Sequence, residues 1–398
     1  MYLTPTLEIL FWICIFLVFY TFIGYGIILY FLVKLKEAFA PAPIRYEPGE
    51  WPEITLFIAA YNEEAIVDAK MENCFQLNYP PQKLKILWIT DGSNDKTNEK
   101  LGRYPEVSVH YIPQRKGKTA ALNRGIQFVE TPFVIYTDAN TMLNKEAIHE
   151  IIKEFSDPRV GCVAGEKRIA VDNKDQAAAG GEGFYWTYES KLKEWDSRLY
   201  SAVGAAGELF AIRTSLFEPL PEDTLLDDFI LSMRIAQKGY KIAYCKSAYA
   251  LEKGSADIKN EEKRKVRIAA GGLQSIKRLG NLLIPNPFHL GLLRFQYISH
   301  RVLRWSITPI ALFLLPFLNI ILVWLNPQLI YILLLAFQIL FYLLAVCGAL
   351  VQRKKIKIKI LFIPYYFLFM NANVLKAFFS FHKYKGKGTW EKAQRIQE

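Results

Sequence analysis

An α/β domain on a mostly parallel, doubly wound sheet, with transmembrane helices at both ends of the chain, is the architecture the sequence predicts. Two patterns predict it. Short apolar, β-branched runs alternate with helical periodicity between residues 54 and 136, as in parallel strands joined by crossover helices. Outside that region lie long apolar segments almost without charge, and a stretch of about 20 such residues is enough to cross a bilayer. A third pattern turns the fold into a site: each strand run ends in a polar cluster, and ligands of open α/β sheets bind at the carboxyl ends of the strands.

Residues 1–36 read as an N-terminal membrane anchor. Leu7 to Val33 carries no charge after Glu8, and no Lys or Arg precedes it, so an uncleaved anchor is expected rather than a signal peptide. A Pro-rich linker occupies 37–50. Strands are expected at Ile54 to Ala59, Leu84 to Ile89, Val107 to Ile112 and Phe133 to Tyr136, with helices at Glu64 to Gln76, Thr97 to Leu101 and Thr119 to Phe128. The domain is expected to run over 51–255, although its alternation weakens after residue 145. Residues 256–304 interleave Lys and Arg with apolar residues and read as interface helices. In 305–381 two spans are expected, Trp305 to Leu325 and Leu329 to Val351. A third apolar stretch, Ile360 to Phe381, is interrupted by Asn371, Asn373 and Lys376, which favours an interfacial or re-entrant segment over a span. A basic tail fills 382–398. Lys34 and Lys36 after the first span, and Arg353 to Lys359 after the third, put both flanks and the central domain on the cytoplasmic side of the cell (inner) membrane.

The net charge of +11 does not imply nucleic acid, because the basic residues cluster beside membrane segments, where anionic headgroups attract them. The five cysteines are scattered and form no Cys-x-x-Cys pair, which suits a reducing compartment and offers no zinc site. The five histidines are dispersed and make no metal set. Tyr185, Tyr188, Trp186 and Trp195, at helical spacing, are expected in the core rather than stacked on a ligand.

The strand endings carry the chemistry. Tyr61-Asn-Glu-Glu64, Asp91-Gly-Ser-Asn94, Gln114 to Lys118 and Asp138-Ala-Asn140 converge if the strands are parallel. Asp138 and Asn140 at a strand end suit a hard divalent cation, Mg²⁺ or Mn²⁺, that also holds a diphosphate; the alternative is that Asn140 caps the next helix. Asp91 suits a base or ribose. Gly117-Lys-Thr119 is not a Walker loop, since Ile112 stands where that loop needs Gly, but Lys118 suits a phosphate.

These motifs, in this order, resemble the membrane-bound family 2 glycosyltransferases of GT-A (Rossmann-like) fold, which include cellulose, chitin, hyaluronan and poly-N-acetylglucosamine synthases. Tyr61, Asn62 and Glu63 are similar to the family's first nucleotide loop, and Asp91-Gly-Ser93 to its second. Lys118-Thr-Ala-Ala-Leu-Asn123 is similar to its Lys-x-x-x-Leu-Asn element, and Asp138-Ala-Asn140 to its Asp-x-Asp. Gly204-Ala-Ala-Gly207, with Glu208 next, resembles the loop bordering the acceptor. Leu226-Asp-Asp228 matches the segment whose last acid is the catalytic base, which implies Asp228 as base beside Asp227. Arg264-Lys-Val-Arg-Ile268 falls where processive members carry Gln-x-x-Arg-Trp, which implies a diphosphate role for Arg264 and Arg267. Arg301-Val-Leu-Arg-Trp305 fits those letters better but lies too far along, so Trp305 is assigned to interfacial anchoring.

The resemblance implies an inverting transferase that moves a sugar from a nucleotide donor, expected to be a UDP-sugar, to a growing polysaccharide. One carboxylate base and no second carboxylate nucleophile agree with direct displacement. The alternatives are single-sugar transfer to a lipid-linked acceptor and a non-catalytic subunit of a polysaccharide synthase. The expected partners are the donor, a polysaccharide or lipid-linked acceptor, the lipid bilayer and export or synthase subunits, with no nucleic acid.

Overall fold

The computed structural model describes residues 3–40, 49–170, 176–253, 258–284, 291–353 and 358–384. Its first element is a helix from α1 (Leu3–Phe19) through a π turn (Tyr20–Gly24) into α2 (Tyr25–Phe39). The domain then builds from β1 (Ile54–Ala60), α3 (Val67–Phe75), β2 (Leu84–Asp91), α4 (Thr97–Leu101), β3 (Val107–Ile112), α5 (Lys118–Gly125) and β4 (Phe133–Asp138). The four strands are parallel and close to the expected runs. Register fixes their endings: Ala60 pairs with Thr90, Asp91 with Ile112 and Ala59 with Asp138. Tyr61 and Asp91 therefore emerge level with one another at the same edge as Asp138, which stands two residues short of them.

The region of weak alternation contributes the other half of an eight-stranded sheet: β5 (Thr141–Leu143), α6 (Ala147–Glu154), β6 (Val160–Ala170), α7 (Gln176–Leu199), β7 (Leu209–Arg213), α8 (Asp227–Gln237) and β8 (Lys241–Lys253), in the order β3-β2-β1-β4-β7-β6-β8-β5. Strand β7 runs antiparallel to β4 and pairs Leu209 with Thr137, which sets Glu208 level with Asp138. Side chains alternate between the two faces. Leu56 and Ile58 enter one core with Met71, Ile148 and Ile151; Phe57 enters the other with Leu122, Ile230 and Met233. The second core continues into Leu293 and Tyr297, so this side of the domain has no boundary against the helices that follow it in the chain.

Those helices are α9 (Ile258–Arg278), α10 (Gly291–Tyr297), a second π turn (Ile298–Val302) and α11 (Leu303–Trp305), followed by a backbone break at Ser306. Glycines let α9 approach closely: a Cβ on Gly271 would stand 2.6 Å from Leu226, and one on Gly272 would stand 2.5 Å from the Trp305 ring. Then come α12 (Ile307–Leu325), α13 (Leu329–Arg353) and α14 (Lys359–Tyr384). Among the described residues four helices are long and apolar enough to cross a membrane: Thr4–Phe39, Ile307–Leu325, Leu329–Gln352 and Ile360–Phe381. The last, α14, is one continuous helix with no fold-back, packed on α13, α9 and α7. Its Asn371 and Asn373 are buried rather than interrupting it.

Helix α1 packs on α12 through Phe11, Cys14, Leu315 and Leu318. Helix α2 packs on α7 instead, where Tyr25, Leu29 and Val33 meet Leu192 and Leu199. Tyr188 and Trp195 join this second cluster, as expected of core aromatics. The side chains of Tyr185 and Trp186 lie outside the described residues.

Candidate active site

Two loops form one wall. Asn62 stands at φ 54°, in the left-handed region that Asn tolerates. That turn lets its amide donate to Ser93 Oγ (3.1 Å) while its side chain exchanges hydrogen bonds with Asn94 (2.8 and 3.0 Å). Glu63 N donates to Thr97 Oγ1 at 2.8 Å. The Tyr61 ring lies 3.8 Å under the Arg115 guanidinium. Asp91 takes an unexpected position: its Oδ2 accepts from the amides of Lys116 (3.0 Å) and Gly117 (2.6 Å), so it shapes the loop leading into α5.

The second wall holds the carboxylates. Lys118, the first residue of α5, donates to Asp138 Oδ1 at 2.6 Å. Burial works against its charge, but Asp138, Asp227 and Asp228 outweigh that and hold its proton affinity above that of an ordinary lysine. Asp227 and Asp228 both lie in the first turn of α8, where the helix dipole favours them. Asp228 is pushed up to about 7 by burial and by Asp227, against the pull of Lys118 and the Phe229 amide. Gly207 leaves a gap between two members of this wall: a Cβ there would stand 3.1 Å from Lys118 Nζ and 3.3 Å from Asp228 Oδ2. A side chain at 207 would therefore enter the space between the base, Lys118 and Asp138.

Arg264 and Arg267 divide. Arg264 forks onto Glu261 with two hydrogen bonds of 2.9 Å and lies in the field of Glu252 and Glu208. Arg267 is held below an ordinary arginine by burial, with Asp227, Asp228 and Asp138 partly restoring it. Arg267 is therefore the arginine that shares the field of Asp138.

Several participants were not anticipated. Lys167 of β6 is buried between Glu208 and Glu252 and pairs with both; this holds Glu208 well below the usual carboxylate range despite its burial. Lys70 of α3, fully buried, donates to Thr141 O at 2.6 Å and to Thr137 Oγ1 at 3.2 Å, directly behind the turn after Asp138. Lys193 of α7 is buried, and Glu189, Glu208 and Asp228 offset part of the lowering that burial imposes on it. A Lys in an otherwise amphipathic helix looks solvated, so no local signal marks Lys70 or Lys193. Two assignments change. Asn140 caps no helix, because β5 begins at the next residue. Trp305 is not an interfacial anchor: its ring packs edge-on against Phe229, with centroids 5.0 Å apart, one residue from Asp228.

A divalent cation fits this donor set. Asp138 and half-buried Asn140 offer hard oxygens, Asp138 already holds a cation in the Lys118 ammonium, and Asp227 Oδ2 is buried without a hydrogen bond among the described residues. No group of three His, Cys, Asp or Glu able to hold a metal occurs among the described residues. An ion here would draw its remaining ligands from substrate and water, as Mg²⁺ does at phosphate sites.

The family model "Glycosyl transferase family 2" matches residues 55–220. A poly-beta-1,6-N-acetyl-D-glucosamine synthase of Staphylococcus aureus (strain COL) is 27% identical over 271 residues, covering 63% of this chain and 64% of that protein. A probable glycosyltransferase, YdaM, of Bacillus subtilis (strain 168) is 25% identical over 237 residues, 56% of each chain. The chain thus spans less than two-thirds of the length of these curated relatives. In fold it is similar to the mannosyltransferase PcManGT from Pyrobaculum calidifontis, solved with GDP-Man and Mn²⁺, at a TM-score of 0.71 and 20% identity over 94% of this chain and 99% of that one.

Proposed function

The central domain is a family 2 glycosyltransferase of GT-A fold, and from that premise we propose that the chain transfers a sugar, with inversion, from a nucleotide-diphosphate donor to a growing polysaccharide at the cytoplasmic face of a membrane. One observation carries the reading: Asp228, with its raised proton affinity, faces the Lys118–Asp138 pair across the space that Gly207 leaves open.

Asp228 takes the proton of the acceptor hydroxyl as its oxygen attacks the anomeric carbon, and the bond from that carbon to the donor diphosphate breaks on the opposite side. Lys118 and Arg267 neutralise the departing diphosphate. Asp138 and Asn140 would hold a divalent cation, Mg²⁺ or Mn²⁺, which when bound supplies further charge neutralisation there. Tyr61, Asn62 and Glu63 line the nucleotide side, and Asp91 acts there by shaping the 116–117 backbone. Arg264 supports the acceptor side through Glu208 rather than the diphosphate. The donor is proposed as a UDP-sugar, by likeness to the poly-N-acetylglucosamine synthase. Lys34, Lys36, Arg353 and the basic residues that follow support the reading that the domain lies on the cytoplasmic side of the cell (inner) membrane.

Ile268, standing where processive relatives place Trp, favours a second reading: single-sugar transfer to a lipid-linked acceptor. Membranes holding the chain, incubated with radiolabelled UDP-N-acetylglucosamine, UDP-glucose and GDP-mannose with Mn²⁺, Mg²⁺ or chelator, separate the two. Label in a high-molecular-weight fraction supports polymer synthesis, and label confined to the lipid fraction supports the second reading. Absence of transfer and hydrolysis, with nucleotide still bound, would overturn both in favour of a non-catalytic subunit.

A further inference from the structure

Beside the site lies a joint of buried charge that the chemistry above does not use. Glu189 and Asp196, on one face of α7, are 3% and 0% exposed. Opposite them stand Gln296, His300, Arg301 and Arg304, around the second π turn and α11, and Tyr25 of α2. His300 bridges the two acids, with Nδ1 2.5 Å from Asp196 Oδ2 and Nε2 3.2 Å from Glu189 Oε1. Arg301 Nη1 lies 2.7 Å from Glu189 Oε1 and Arg304 Nη1 lies 2.9 Å from Oε2. Gln296 Nε2 donates to Asp196 O at 2.8 Å, and the Tyr25 hydroxyl donates to Asp196 Oδ1. Three segments of the chain thus meet on two carboxylates.

Arg301 also faces the reaction site. Its Nε points at Val203 O, 3.4 Å away, and Val203 leads into the loop from Gly204 to Glu208. Its guanidinium lies 5.7 Å from the Trp305 ring centroid. Trp305 packs on Phe229, and Phe229 fills the space under Gly204: a Cβ there would stand 2.1 Å from the Phe229 ring, and Gly204 holds φ +85°, which only Gly adopts readily. Phe229 adjoins Asp228 in the first turn of α8. A shift of Arg301 is therefore felt by the 204–208 loop and by the start of α8, which border the gap.

We propose that Arg301, gripped by Glu189, is a positioning residue for transfer: it fixes Asp228 relative to Gly207 and makes that spacing depend on how the membrane-proximal helices seat on α7. Arginine suits the task because its planar fork holds Glu189 on one edge while Nε faces Val203 O; lysine, a point charge, keeps the attraction and loses the direction. The inference rests on the proposed transferase reading for its kinetic readout, and its structural readout is independent of that reading.

The test compares full-length protein in nanodiscs with Arg301→Lys and Trp305→Phe, and with Lys191→Ala, on the exposed side of α7, as control. Donor KM and kcat for transfer are measured beside amide hydrogen exchange over residues 203–208 and 226–232. The expected result for Arg301→Lys is a transfer kcat lower by roughly 10- to 100-fold, the scale of an ångström-level misplacement, with donor KM within about twofold and faster exchange in both segments. Trp305→Phe, which keeps the ring contact without the indole, gives a smaller change of the same kind. Unchanged exchange and kcat in a stably folded Arg301→Lys protein would overturn the proposal, as would a loss confined to donor KM. If wild-type protein transfers nothing, the transferase reading fails, while faster exchange in 203–208 and 226–232 still supports the joint and unchanged exchange rejects it.

Discussion

The strand-end site and the charged joint stand side by side and were assembled by opposite rules. At the site, Asp138 and Lys118 keep 29% and 23% of their side-chain surface exposed, stand 20 residues apart in the chain, and border a gap that substrate would enter. In the joint the partners are almost wholly dry and distant in sequence, with Tyr25 171 residues from Asp196 and His300 111 residues from Glu189. Charges at the site are left partly unmatched for a ligand. Those in the joint match one another, and no ligand is needed to explain them. The completeness of a carboxylate's partners thus separates a reacting group from a structural one.

The largest effect that would sharpen this contrast is Asp228→Asn. Transfer is expected to fall by roughly 10²- to 10⁴-fold, the contribution of a general base, while nucleotide binding by titration calorimetry is unchanged. Because the folded state holds this proton up to about pH 7 and an unfolded aspartate releases it near its ordinary value, Asp228 costs stability as pH rises towards 7. The Asn variant should therefore melt higher than wild type at pH 8 and no higher at pH 4. Glu189→Gln should do the reverse: a loss of about 3–5 kcal/mol, from leaving Arg301 and Arg304 without their anion, read as a lower melting temperature. If Asp228→Asn destabilises at pH 8, or Glu189→Gln does not, the division between the two regions breaks.

Next in size is Gly204→Ala, which meets both an unfavourable φ and the Phe229 ring; a loss of about 1–3 kcal/mol is expected, together with a fall in kcat. Wild-type transfer should rise with pH along a limb centred near 7 as Asp228 loses its proton, and added Mn²⁺ should move that limb to lower pH, since a nearby cation favours the carboxylate. A limb that ignores metal would place the cation away from Asp228. Smallest is Lys191→Ala, which loses an exposed pair with Glu194 at 3.1 Å and should shift stability by less than about 0.5 kcal/mol.

What could be read from the sequence follows the same division. Parallel strands deliver their last residues to one edge, so Tyr61, Asp91 and Asp138 declare themselves locally by ending apolar runs. Strands β5 to β8 escaped because β5 is three residues long and β6 and β8 run past two register irregularities, which blur the period. Lys70, Lys167 and Lys193 carry the letters of surface residues, and only the fold reveals that they are buried. Trp305 was misplaced because distance along the chain from Asp228 was taken for distance in space; α11 packs on α9, and its Trp305 ring meets Phe229.

The π turn at Tyr20–Gly24 divides the N-terminal helix into two faces. An inserted residue turns everything beyond it by about 100° relative to an unbroken α-helix. One helix can therefore show its upper stripe, Phe11 and Cys14, to α12 and its lower stripe, Tyr25, Leu29 and Val33, to α7. The segment works as a phase shifter between its two partners, α12 and α7. Its identity lies in a residue count rather than in any side chain: deleting a single residue between 20 and 24 would leave the hydropathy profile intact and swing Tyr25 away from Asp196.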